Sequence, residues 1–405
     1  MFKVLKRYFF EHASLIFVIL GACSLFACNI LMKEILSPAL YGQFSVFITY
    51  CSLIYVFGMF GLEQVFLRFS KACNNTIKTQ KTQFLLIIPV ILLLPTITTI
   101  LFKKYYSEII IDTGLLFYCS LGLVGSMFLF TVFRLNSNFV LSQIMSNGWK
   151  IGMFILSILY FLFHKSDFNF FITTVAIIII IIFLIFLFYA LKSINIQFND
   201  EVSNRDLIES SLHFFISIAS FSLLIFCDRI IVEHKYNFVV FGNFFYLCNF
   251  FLAPFSILQN YIGFKQLIFF KSKFNKNYLV SFSKKIILLG TGLALSLFFI
   301  AVFLNYFKLL NFQFDTYNVV ILLLLFTGVV RLYSSSIGAA FEAKTSITTL
   351  RRSNFLITFI TILILTITFF FVDSIEIILF NIIILWVLRS VIHKKLLLHQ
   401  IKEYQ

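Results

Sequence analysis

Apolar stretches of about 20 residues, each long enough to cross the hydrocarbon core of a bilayer, recur along nearly the whole chain between short polar turns. They predict helices over 13–32, 40–62, 84–102, 113–133, 145–163, 168–191, 212–232, 240–262, 286–307, 318–341, 354–372 and 375–392. Six precede a polar linker at 192–211 and six follow it. The expected architecture is therefore an all-α polytopic membrane protein with an N-terminal lobe (1–191), a cytoplasmic linker (192–211) and a C-terminal lobe (212–405). Lys150 interrupts the fifth stretch; it faces the interior or marks the cytoplasmic start of a shorter fifth helix, and we favour the second. Pro89 and Pro95 predict bends in the third helix, and the alternating apolar and basic residues 2–10 suit a helix lying in the inner interface. No loop is long enough to form an extramembrane domain. Leu20-Gly21-Ala22-Cys23 resembles a lipoprotein cleavage box, but cleavage there would remove the first helix.

Two stretches half a chain apart share a pattern. Cys28–Phe44 (CNILMKEILSPALYGQF) and the start of Cys227–Asn260 (CDRIIVEHKYNFVVFGNF) each run from a helix through a polar turn into a second helix. Cys28-Asn29 aligns with Cys227-Asp228, and Tyr41-Gly42-Gln43-Phe44 with Phe241-Gly242-Asn243-Phe244, at the cost of one gap. Six helices per half make each half begin and end on the same side. The halves are then parallel repeats related by an axis along the membrane normal.

Composition agrees with a membrane protein. Hydrophobic residues make up 60% of the chain and charged ones 12%, at a mean hydropathy of +1.00, which excludes an ordinary soluble domain. The net charge of +15 would suggest nucleic acid in a soluble protein; here its distribution assigns topology instead. With the N-terminus inside, 22 of the 32 Lys and Arg fall on the cytoplasmic side, six fall outside, and Lys150, Arg229, Arg331 and Arg389 lie within helices. The positive-inside rule thus places both termini in the cytoplasm. The seven cysteines include no CxxC pair and are read as small apolar residues. No P-loop, HExxH or GxSxG motif is present, so neither an enzyme, a cofactor nor a metal site is expected.

Charged residues inside spans are costly and mark polar cavities or ion paths. Asp228 is the one acid clearly within a predicted span. It either faces a cavity, as an ion-coupling group, or forms a helix-end pair in which Arg229 snorkels to the outer interface. Asn29 is its uncharged repeat mate. Arg331 lies about 20 Å into the tenth helix. Thr327, Ser334, Ser335, Gly338 and Glu342 recur around it on one face. This stripe suits a cavity where the guanidinium fork holds a phosphate; the alternative is small-residue packing with the arginine bonded to carbonyls. Asn249, Ala253, Ser256 and Asn260 mark one face of the eighth helix, either cavity lining or packing. Glu63 and Arg68 (GLEQVFLRF) end the second helix, as interface anchors or as site residues. The lysine-rich loop 263–285 reports topology and can gather anionic headgroups.

In helix count, lobe division, LSPALYGQFSVF with GLEQVFLRF, and CDRIIVEHKYNFVVFGNFFY, the chain resembles bacterial polysaccharide flippases, the Wzx-type O-antigen exporters of the multidrug/oligosaccharidyl-lipid/polysaccharide (MOP) exporter superfamily. The resemblance implies two six-helix lobes around a basic cavity that opens alternately to either side of the bacterial inner membrane. The implied substrate is an undecaprenyl-pyrophosphate-linked oligosaccharide, moved with H+ or Na+ coupling, with membrane lipids, a polysaccharide polymerase and a chain-length regulator as partners and no nucleic acid. It makes Arg68, Arg229 and Arg331 candidates for the pyrophosphate, with Ser334, Asn249 and Asn29 lining the cavity, and Asp228 and Glu63 candidates for ion coupling. After the eighth helix NYIGFKQLIFF stands where a second GLE…R would be. The rivals are a drug or cation antiporter of the same superfamily and a membrane-embedded O-antigen polymerase or glycosyltransferase.

Overall fold

The computed structural model describes residues 2–73, 75–163, 167–198, 203–272 and 274–403. Among these, twelve segments are helical, long and apolar enough to cross a membrane. Each coincides with a stretch predicted from hydropathy. The chain divides into two compact units, Met1–Ala219 and Ser220–Gln405.

The first unit holds α1 (Phe2–Ile35), α2 (Pro38–Phe57), the short α3 (Leu62–Phe69), α4 (Lys81–Tyr105), α5 (Thr113–Leu135), α6 (Phe139–Leu162) and α7 (Phe168–Ser193). Side-chain caps stop the apolar runs from merging. Asp112 accepts from Leu115 N at 2.8 Å and Asp167 from Phe170 N at 3.1 Å, supplying acceptors to N–H groups that no helical carbonyl can reach. The second unit is built from the remainder of α8 (Asn204–Lys235), α9 (Phe238–Ser272), α10 (Lys276–Tyr306), α11 (Phe314–Lys344), α12 (Ile347–Phe371) and α13 (Ile375–Glu403). The boundary between the units falls inside α8. Residues 2–10 lie within α1, and their side chains are outside the described set, as is Cys73.

The repeat is visible at atomic level. α1 and α8 end at Ile35 and Lys235, and the next helices are capped by Ser37 and Asn237, whose side chains accept from Leu40 N and Val240 N. Tyr41 and Phe241, Phe44 and Phe244, Cys28 and Cys227, Asn29 and Asp228 are each buried in their own unit. Burial of the spans repeats as well. The second and eighth are both 61% buried, the third and ninth both 22%, and the fourth and tenth 61% and 67%. α5 and α11 are thus interior to their units, whereas α4 and α10 turn apolar side chains such as Leu85, Ile88, Leu92, Leu288 and Leu295 outward, as a lipid-facing helix does.

Besides the stretch 263–285, expected as a loop but helical to Ser272 and again from Lys276, three features depart from expectation. The second helix does not run unbroken to residue 62. It ends at Phe57, and the chain passes through Phe60 and Gly61 at φ 48° and 79° before α3 begins. A side chain on Gly61 would lie 2.6 Å from Phe215 N of α8, so both the left-handed backbone and the close approach require glycine. Glu63 and Arg68 therefore sit on a separate helix. Second, the fifth span is not a short helix starting near Lys150. α6 begins at Phe139, which puts Lys150 about 16 Å along it. Asn138 caps that earlier start, and Lys150 donates to Asn147 Oδ1 at 3.1 Å in mid-helix. Third, the linker has structure. β3 (Asn195–Phe198) pairs in parallel with β2 (Thr76–Thr79), which pairs antiparallel with β1 (Lys71–Cys73). α8 then starts at Asn204, eight residues before the expected position.

Candidate functional site

In the second unit, buried charge converges on one tryptophan. Trp386 of α13 is fully buried. The guanidinium carbons of Arg331 (α11) and Arg389 (α13) lie 5.4 and 5.6 Å from its ring centroid. Phe221 of α8 meets the indole edge-on at 6.0 Å and lies 5.2 Å below Arg389. Two cations held against aromatic faces exploit the ring quadrupole, whose attraction rises once water is excluded.

The remaining contacts of these arginines come from the polar stripe and from α8. Arg331, 1% exposed, donates through Nη2 to the carbonyl of Ile225 at 3.2 Å. Arg389 donates through Nη1 to Ser334 Oγ at 3.1 Å. Thr327, Ser334 and Gly338 are buried along the same face of α11 as Arg331, and Gly338 lies against the Arg389 guanidinium. At Gly328 an added Cβ would fall 2.4 Å from the Phe255 ring, so its absence lets α9 and α11 cross closely.

Asp228 completes the cluster. It is 1% exposed, and its charge attracts Arg331 while the neighbouring Arg229 repels it. Its Oδ1 accepts from Arg229 N at 2.8 Å, an interaction with its own backbone neighbour. Arg229 turns its guanidinium over Phe226 and Phe245 at 5.7 and 5.6 Å. Asn249 stands one turn beyond Phe245 on α9 and is half-buried. Asp228 Oδ2, Arg229 Nε, Arg331 Nε and Asn249 Nδ2 are all buried with no hydrogen-bond partner among the described residues. A folded protein seldom leaves such groups unmatched, because each costs ~1–3 kcal/mol. Arg229 and Arg331 lie near Asp228 while Arg389 is drawn to Glu342 instead, and the unmatched groups beside Asp228 are mostly donors.

The structure therefore brings Asp228, Arg229, Arg331 and Ser334 together in the second unit, with Asn249 on the neighbouring α9. It leaves Asn29, Glu63 and Arg68 in the first. Asn29 is buried, donates to Leu25 O at 2.7 Å and keeps an unmatched Oδ1. Glu63 points into the unit's core at the start of α3, and Arg68 is exposed at its end, 5.7 Å from the Phe69 ring. Sequence reading counted Arg389 among the intramembrane cations but gave it no role, and passed over Trp386. The available signal was a basic residue three positions after a tryptophan in an otherwise apolar span. His393 lies beyond Arg389 on the same helix, 4.3 Å from Phe341 in a stacked arrangement, with both ring nitrogens unmatched. Among the described residues no group of three His, Cys, Asp or Glu side chains converges as metal ligands would.

No protein-family model matches the chain, and no curated protein sequence matches it. Solved structures do. A MATE protein in complex with MaL6 superposes with a TM-score of 0.60 at 11% identity, covering 97% of this chain and 96% of that one. An outward-facing multidrug resistance MATE family transporter of the MOP superfamily gives 0.53 at 12% identity, with coverage of 97% and 96%. A MATE protein in complex with MaD5 gives 0.53 at 13% identity, covering 96% and 94%. The shared feature is the fold, two six-helix lobes over nearly the full length of both chains.

Proposed function

We propose that the protein is a transporter that moves a lipid-linked oligosaccharide, carried on a polyprenyl pyrophosphate, across the bacterial inner membrane by alternating access. The observation that carries this reading is the cluster of guanidinium groups beside Asp228 and Trp386 in the second unit, the buried Arg331 with the half-buried Arg229 and Arg389. A pyrophosphate offers two charges and several acceptor oxygens, which matches unmatched N–H donors held on rigid aromatic supports. Burying such cations is worthwhile for a ligand that must leave water for part of its passage. The MATE-like fold supplies the transporter framework, and its neighbours include MOP-superfamily members. In this reading Arg331 and Arg229 bind the diphosphate with Ser334 and Asn249. Asp228, with its unmatched Oδ2, carries H+ or Na+, and a polymerase and chain-length regulator act downstream. Within the first lobe, Arg68 and Asn29 remain candidates for substrate binding and Glu63 for ion coupling.

A second reading has its own support. One neighbour is described as a multidrug resistance transporter, and Asp228 is an acid suited to a cationic substrate. The two readings separate on substrate charge. A deletion strain should accumulate lipid-linked repeat units on the inner face and lose surface polysaccharide, and restoration should need Arg331. Unpolymerised units on the outer face would transfer the role to a polymerase. Normal surface polysaccharide combined with new drug sensitivity would establish the antiporter.

A further inference from the structure

The small sheet in the first unit is amphipathic in a way that neither the fold nor the transport reading uses. Its register pairs Lys71 directly with Lys78, and Lys78 with Gln197, in one row across the three strands. Strand alternation puts this row on the face opposite Ile77 and Thr79, which are buried. Lys71 and Lys78 are exposed. Two lysines directly opposite one another in a sheet present adjacent positive charges, to which an anion near this face is drawn.

The other face fixes where the sheet lies. Phe198 packs edge-on against Phe84 in the first turn of α4 at 5.8 Å, and Phe84 meets Phe66 and Phe128 in turn. Ser70 donates to Thr79 Oγ1 and Gln83 Oε1, tying β2 to α4, while Asn136 at the end of α5 donates to Asn75 Oδ1 in the hairpin turn. The sheet thus covers the ends of membrane-spanning helices. Yet along its edge strand Ile196 and Phe198 stay 42% and 58% exposed, continuing the outward apolar surface of Phe188 and Leu191 on α7. An element with an open apolar edge and a lysine row suits the boundary where acyl chains meet headgroups.

We infer that this sheet is a binding site for the headgroups of anionic phospholipids, with Lys71 and Lys78 on the phosphate and Ile196 and Phe198 among the upper acyl carbons. Charge bias puts it on the cytoplasmic side, where anionic lipids draw basic residues to the surface. The purified full-length protein, reconstituted in nanodiscs of defined composition, provides the test, with bound phospholipid counted by native mass spectrometry. K71Q/K78Q should weaken retention of phosphatidylglycerol by roughly 30-fold, at about a factor of five for each lysine near an anionic surface, and leave phosphatidylcholine retention unchanged. K71R/K78R should retain it, and Gln197→Lys, which extends the row, should raise it. Unchanged phosphatidylglycerol retention in K71Q/K78Q would overturn the proposal. So would equal loss of both lipids, because it would show that the substitutions act on the fold rather than on charge. Failure of Gln197→Lys to add affinity would also count against it.

Discussion

The two copies of the helix–turn–helix repeat share geometry and differ in charge. At Cys28–Phe44 and Cys227–Phe244 the caps, the turn and the buried aromatic positions coincide, yet the first copy buries Asn29 where the second buries Asp228. Around Asn29 polarity is met largely within α1, through the bond to Leu25 O. Around Asp228 stand Arg229, Arg331 and, by way of Trp386, Arg389. The fold tolerates either residue at this position. What makes an acid tolerable there is the cation that α11 brings to it, since a lone buried charge costs several kcal/mol. The repeat preserves a scaffold, and one copy of it has been charged.

The most severe way to break this comparison is to charge the first copy. Asn29→Asp places an acid where the described neighbours supply no arginine comparable with Arg331, and we expect a loss of about 3–5 kcal/mol. A fall in the detergent thermal-denaturation midpoint of many degrees checks this, and wild-type stability would show that the sites are interchangeable. Next comes Arg331→Ala, which leaves Asp228 short of its main counter-charge. Transport of the lipid-linked unit should fall by at least about 30-fold, equivalent to ~2 kcal/mol, and Arg331→Lys should not restore it because one ammonium cannot reproduce the fork. Reconstituted vesicles with a labelled polyprenyl-pyrophosphate sugar read this directly.

Asp228→Asn makes the second copy like the first. It keeps the volume but leaves the buried Arg331 without its counter-charge, so stability should fall, and transport should lose its response to an imposed H+ or Na+ gradient. Gradient-driven uptake falling to the gradient-free level, by roughly tenfold, is the expected result for a coupling group; retained coupling would move that role elsewhere. The mildest change is Ser334→Ala, which removes the hydroxyl that Arg389 Nη1 reaches. A loss of about 1.5 kcal/mol in stability is expected for a hydrogen bond to a charged group. Combined with Arg389→Ala in a double-mutant cycle, it should show a coupling energy of similar size.

Much of this was legible beforehand. The twelve spans follow from hydropathy and length alone, and the repeat was visible in the spacing of Cys28, Gly42, Cys227 and Gly242. Arg331 and Asp228 stood out because charge inside an apolar run has few explanations. Other features were hidden for physical reasons. The break before α3 depends on φ values at Phe60 and Gly61 that follow from contact with Phe215, more than 150 residues away in sequence. The strands at Lys71–Cys73, Thr76–Thr79 and Asn195–Phe198 are too short for a periodicity to register, and β2 finds β3 only through tertiary proximity. Arg389 looked like one more basic residue near the end of the last span.

The sequence by itself determined that the chain crosses a membrane twelve times, in two halves built on one pattern, because each apolar span must satisfy its own backbone wherever it lies. It did not determine which face of each span turns inward. Lipid is as apolar as the helix interior, so a span buried on one side and wetted by lipid on the other carries little contrast in its residues. Only the packing of α8, α11 and α13 decided that Asp228, Arg331, Trp386 and Arg389 share one core. Such meetings depend on side chains from distant parts of the chain filling the same space.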